Sequence, residues 1–228
     1  MPEPIYRRFV TPRIERLRGT VSDSGIPDWR KLMLDLTFNS SKHPSCVLLL
    51  GAHCDDLEIG CGGTILQMAE RWPDTRFVWI TLSSDAKRGA ESRAAATRLL
   101  AGGRNSIILI EQFRESYFPY DGILLKDYFE TLKAYDPDLV LTHYRKDLHQ
   151  DHRVTNELTW NTFRNHLILE YEIPKFDGDL GVPNMYVPLS LANLEQKMQI
   201  LTECFPSQSH RKWFTRSTFE AIDRKSVV

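Results

Sequence analysis

The sequence predicts an α/β fold with a mainly parallel sheet, on three observations. From residue 45 to about 166, short apolar runs alternate with helical stretches, the signature of βαβ units. The helical stretches place their apolar residues on one face, as with Ile65, Ala69 and Trp72, or Tyr128, Leu132 and Tyr135. Two apolar runs, Val47-Leu48-Leu49-Leu50 and Leu139-Val140-Leu141, are each followed by a cluster of imidazoles and carboxylates. Ligands of open α/β sheets bind beyond the carboxyl ends of the strands.

The elements follow in order. Strands are expected at 46–52, 76–82, 106–110 and 138–143, and helices at 61–72, 90–101, 122–135 and 152–166. Beyond 167, Leu167-Ile168-Leu169 and Met185-Tyr186-Val187 read as strands, separated by the turn-rich Asp177-Gly178-Asp179-Leu180-Gly181. A last strong helix is expected at about 191–205, with Leu194, Met198, Leu201 and Phe205 on one stripe. Before residue 45 no period is clean. Trp29, Leu32, Met33, Leu36 and Phe38 suggest a short helix, so residues 1–44 are read as an extension packing on a core domain of 45–228.

Composition narrows the function classes. A chain of 228 residues with 42% apolar content can bury a substantial core. With 29 basic and 30 acidic residues the charge is balanced, which argues against a nucleic-acid partner. No apolar run is long enough to span a bilayer, and the first residues lack the apolar segment of a secretory signal. The expectation is a cytoplasmic protein whose four cysteines, Cys46, Cys54, Cys61 and Cys204, are reduced thiols. Self-association as a homo-oligomer is compatible with this composition.

The first cluster is His53-Cys54-Asp55-Asp56-Leu57-Glu58. His53 and Asp56, three positions apart in a strand-to-helix turn, can aim at one point. Catalytic zinc takes imidazole nitrogen and carboxylate oxygen and usually keeps an open position for water. Asp55 is then free to act on that water. Gly60, Gly62 and Gly63 let the following helix approach the sheet. In the second cluster, His149-Gln150-Asp151-His152, one histidine would complete the metal site. The other would stabilise an oxyanion or move a proton, and Asp151 could fix an imidazole tautomer. His143, at the end of its strand, is either a partner behind a ligand or an ordinary buried histidine. Arg88, Arg93, Tyr117, Tyr144 and Gln208 are the candidates to line a cleft near the strand ends.

The run Gly51-Ala52-His53-Cys54-Asp55-Asp56-Leu57-Glu58-Ile59-Gly60-Cys61-Gly62-Gly63-Thr64, with the His149–His152 element, resembles the signature of the PIG-L/LmbE-like deacetylases. Looser similarity involves Arg93, Asp121-Gly122, Asp136-Pro137-Asp138, Lys197 and Ser207-Gln208, and the whole covers roughly 45 to 210. The resemblance implies a Rossmann-like three-layer sandwich. It also implies zinc, with ferrous iron as the alternative since nitrogen and oxygen ligands suit both. The implied reaction removes an N-acetyl group from an amino-sugar-containing small molecule or glycoconjugate. By motif position His53, Asp56 and His152 would bind the metal. Asp55 would be the general base, and His149 would assist at the oxyanion or as acid. Cys54 stands where the family usually has proline, and should point away if its neighbours converge. The rival readings are a zinc amidase or esterase on a non-sugar substrate, and a non-catalytic carbohydrate- or nucleotide-binding protein.

Overall fold

A computed structural model describes residues 43–225; the helix expected around Trp29 to Phe38, and its packing on the core, lie outside the described residues. Strands β1 (Cys46–His53), β2 (Arg76–Ser83), β3 (Asn105–Ile110), β4 (Leu139–His143) and β5 (Leu167–Tyr171) form one sheet in the order β3-β2-β1-β4-β5. Every pairing is parallel. The helices are α1 (Asp56–Arg71), α2 (Ala86–Leu99), α3 (Gly122–Leu132), α4 (Gln150–Thr162), α5 (Leu191–Cys204) and α6 (Arg216–Lys225).

The near-continuous apolar runs of β1 and β4 reflect burial on both sheet faces. Along β1, Val47 and Leu49 join a core with Ile65 and Leu66 of α1, Leu99 of α2, Leu201 of α5 and Phe219 of α6. Leu48, Leu50 and Ala52 join the opposite core with Leu125, Phe129 and Leu132 of α3, against which Val154 and Leu158 of α4 pack. The result is a three-layer α/β/α sandwich. All eight residues of β1 are buried. At about 1.5–3 kcal/mol for each large apolar side chain removed from water, this strand is a rigid mount for the histidine at its end.

Several elements differ from expectation. Helix α1 starts at Asp56, not 61, and bends at Cys61, whose φ of −142° is not helical. The bend accompanies a close approach: a Cβ on Gly60 would lie 2.3 Å from the Tyr171 ring, and one on Gly63 would lie 2.3 Å from Leu189. Helix α2 starts at Ala86 because Asp85 caps it, accepting from the Arg88 N–H at 2.8 Å. Helix α4 ends at Thr162, short of 166, and α3 runs into a 3₁₀ turn at Lys133–Tyr135. Met185-Tyr186-Val187 is not a strand. Between Pro183 and Pro188 it runs over α1, where Gln67 donates to the Pro188 carbonyl at 2.9 Å, and prolines suit poorly a strand that must pair. Helix α6 has no counterpart among the expected elements. The four cysteines are all free and buried.

Candidate metal centre

The chain runs from β1 outward to β2 and β3, then returns across β1 to β4. The strand order therefore reverses between β1 and β4, and crevices at such a point take ligands. The two clusters meet there. His53 ends β1, and the His149–His152 element opens α4, just after β4.

Three donor atoms converge. His53 Nδ1 lies 3.1 Å from His152 Nε2, and Asp56 Oδ2 lies 3.5 Å from each. Ligands about 2.0–2.1 Å from a tetrahedral zinc stand roughly 3.3 Å apart, so the triangle has the size of a metal's ligand set. The outer nitrogens of both rings meet carboxylates. His53 Nε2 is 3.0 Å from Asp151 Oδ2, and His152 Nδ1 is 2.9 Å from Asp147 Oδ2. Each ring donates its N–H outward, which turns a bare nitrogen inward; carboxylate–histidine pairs orient metal ligands in this way. Two bare imidazole nitrogens at 3.1 Å repel unless a cation lies between them.

The electrostatics point the same way. Burial pushes the His53 pKa down, yet Asp151 and Asp56 outweigh it and draw the group up to about 10. Burial and His143 hold His152 down at about 4. A proton on His53 thus serves as the cation this cluster of carboxylates requires. A divalent ion on the same donors fits the charge as well as the spacing.

Other sets are weaker. Among the described residues, His53, His149 and His152, and also Asp56, His143 and His152, have donor atoms within 4.8 Å of one another. His143 Nε2, however, accepts the Ala52 N–H at 2.9 Å, and that bond occupies its lone pair. Its ring stacks on His152 with centroids 4.0 Å apart, so it supports a candidate ligand from behind. His149 caps α4: its Nδ1 accepts the Asp151 N–H at 3.2 Å. This leaves Nε2–H as a donor on a half-buried ring packed against His53 and His152.

Asp55 has a left-handed backbone, with φ of 102°, a conformation that costs of order 1–3 kcal/mol and concentrates at functional sites. Burial raises its pKa to about 7 against the opposing pull of Arg88, 3.3 Å away. Its neighbour Cys54 turns away, with its thiol facing the Ser83 carbonyl at 3.6 Å.

The expected substrate contacts divide. Arg88 holds Asp55 and donates to the Cys54 carbonyl at 2.5 Å. Tyr117 lies between Ser116 and Phe118, whose N–H groups both donate to Asp151, and its ring carries the Arg114 guanidinium. Tyr144 follows β4, its hydroxyl against Gly181. Arg93 and Gln208 form hydrogen bonds to other groups. Arg93 is exposed and donates to the Ile108 carbonyl at 3.2 Å. Ile108 is in register with Trp79 and Leu49, four residues or about 13 Å short of the strand end that carries His53. Gln208 is buried and donates to Ser207, which holds Glu91; it ties the chain after α5 to α2. Sequence reasoning missed Asp147, although it lies two residues before His149 and accepts that residue's N–H at 2.7 Å. It also missed Arg211, whose charge acts on Asp55 from a segment with no periodic signal.

A family model described as PIG-L, GlcNAc-PI de-N-acetylase, matches residues 48–163, just over half of the chain. The chain belongs to the PIG-L family. The matched span contains both clusters and the reversal of strand order between them. Among solved structures, N,N'-diacetylchitobiose deacetylase from Pyrococcus horikoshii is 21% identical, with a TM-score of 0.59 over 82% of this chain and 80% of that one. A deacetylase of teicoplanin biosynthesis is 17% identical, with a TM-score of 0.63 over 79% and 92%. GalB, the 4-carboxy-2-hydroxymuconate hydratase of Pseudomonas putida KT2440, is 16% identical, with a TM-score of 0.58 over 80% and 89%. At these identities the likeness establishes the fold, and one fold can carry different reactions. Membership in the PIG-L family supports a hydrolytic deacetylase.

Proposed function

We propose that this protein is a divalent-metal-dependent hydrolase, with zinc or ferrous iron as the ion. It removes the N-acetyl group from an amino-sugar-containing small molecule or glycoconjugate. The observation that carries the reading is the triangle of His53 Nδ1, Asp56 Oδ2 and His152 Nε2, with edges of 3.1–3.5 Å and a carboxylate behind each imidazole. These three residues would hold the ion. When bound, such an ion lowers the pKa of a water toward about 7 and polarises a carbonyl.

The chain's own groups divide the remaining work. Asp55, poised near neutrality, takes the proton as water attacks the amide carbon, and general acid–base help of this kind is worth roughly 10²–10⁴-fold. His149 offers its Nε2–H to the oxyanion or to the departing amine. Asp151 and Asp147 hold the ring tautomers of the two ligating histidines. Arg88 restrains Asp55 and, with Tyr117 and Tyr144, is proposed to face the sugar. Acetate release from N-acetylated sugars and their conjugates, run beside non-sugar amides and esters on protein of known metal content, tests the reading. Acetate from a sugar amide, dependent on metal, is expected; turnover confined to non-sugar substrates, or none, would contradict it.

A further inference from the structure

A cluster of charges lies behind His152, where Asp147 meets Lys175 and Asp179, two residues the proposed reaction does not use. Asp147 Oδ2 faces His152 Nδ1 at 2.9 Å. Its other oxygen, Oδ1, accepts the His149 N–H at 2.7 Å and lies 3.0 Å from Lys175 Nζ. Lys175 also donates to Asp179 Oδ2. Asp179 Oδ2 accepts in addition the Leu148 N–H at 2.6 Å. The lysine side chain is 11% exposed and the two carboxylates 3% and 5%, so the triad is largely out of water. Asp147 belongs to the loop after β4, whereas Lys175 and Asp179 belong to the loop after β5.

We propose that Lys175 and Asp179 form a positioning clamp that reaches His152 through Asp147; the inference rests on the metal-centre reading above. The Asp147 carboxylate has two oxygens with separate duties. Lys175 and the His149 N–H occupy Oδ1, which fixes the rotation of the carboxylate and leaves Oδ2 for His152 Nδ1–H. His152 must donate there if Nε2 is to face His53 and Asp56 bare. Asp179 fixes the lysine and, through Leu148, the backbone between Asp147 and His149. Removing a charged partner from a buried ion pair leaves the other uncompensated. Without Lys175 the Asp147 carboxylate is free to rotate or to recruit water, and the His152 ring loses its single orientation. Partners behind metal ligands typically contribute 10–100-fold to metal affinity.

The test is competition titration of metal-stripped full-length protein with zinc against a chromophoric chelator. Cobalt(II) spectra report the ligand field, and thermal unfolding of the metal-stripped forms reports stability. Lys175→Met and Asp179→Asn are each expected to weaken zinc binding about 10–100-fold and to change the cobalt spectrum. The double variant should lose less than the product of the two, because both act through one carboxylate. Lys175→Arg, which keeps the charge, should recover most of the affinity. Arg145→Met, which removes an exposed ion pair with Glu170, should leave affinity unchanged. Zinc affinity and cobalt spectra unchanged in folded Lys175→Met would overturn the clamp while leaving the metal centre intact. Equal loss in Lys175→Arg and Lys175→Met would overturn it too. Failure of the unmutated protein to bind zinc or cobalt would overturn the underlying metal reading instead, and the clamp with it.

Discussion

Asp55 and His53 stand two positions apart and carry opposite expectations. Asp55 supplies no corner of the donor triangle and is paired with Arg88, whereas His53 supplies one. Asp55→Ala should therefore keep its metal and lose roughly 10²–10⁴-fold in turnover, while His53→Ala should lose the metal. Elemental analysis beside the rate assay checks both. The same aspartate has a stability signature. Burial raises its native pKa to about 7, above the unfolded value of about 3.9, so the native state holds a proton that the unfolded chain has released. Stability from this group is present below the unfolded value and is lost as pH rises through the native one. In metal-stripped protein, Asp55→Asn should raise the melting temperature at pH 8, with the gain fading toward pH 4. Arg88 pulls the Asp55 pKa down; Arg88→Met should shift the acidic limb of the kcat/KM profile to higher pH, which a pH–rate series would reveal.

Two glycines of the helical layers contrast. A Cβ at Gly60 would enter the Tyr171 ring, whose hydroxyl donates to Leu50 of β1 at 2.7 Å. Gly122, at the start of α3, would meet nothing within 4 Å. Gly60→Ala should cost about 1–3 kcal/mol by overpacking, whereas Gly122→Ala should be neutral or stabilise by about 0.4–1 kcal/mol; denaturant melts separate them. Strands were legible at this scale because β1 and β4 are buried on both faces and read as unbroken apolar runs. Helix starts were not. Asp56 to Ile59 look like the polar end of a loop, and only the strained Asp55 backbone and the room left by Gly60 allow α1 to begin there. Met185 to Val187 has strand composition, but after β5 the chain passes over α1 and pairs with no strand. Among the described side chains of α6, Phe219 is buried in the core at 1% exposure, and one buried aromatic carries no periodic signal.

Across the whole molecule, the reversal of strand order between β1 and β4 turns two clusters about a hundred residues apart into one site. The members at strand ends were legible from composition and spacing: His53, Asp56, His149 and His152. Asp147 and Lys175 were not, because a lone Asp or Lys in a loop carries no pattern until the loops after β4 and β5 lie side by side. Arg93, at a helix position near the right strand, donates to the Ile108 carbonyl of the edge strand β3. A ligand that binds only the native state stabilises it by mass action. Zinc at a hundred times its dissociation constant should thus add about 2.7 kcal/mol, read as a rise in melting temperature that His152→Ala abolishes. Anomalous scattering at the zinc edge from zinc-soaked crystals would locate the ion directly. One strong peak about 2.0–2.1 Å from His53 Nδ1, Asp56 Oδ2 and His152 Nε2 is the predicted result; zinc bound elsewhere, with that triangle empty, would contradict it.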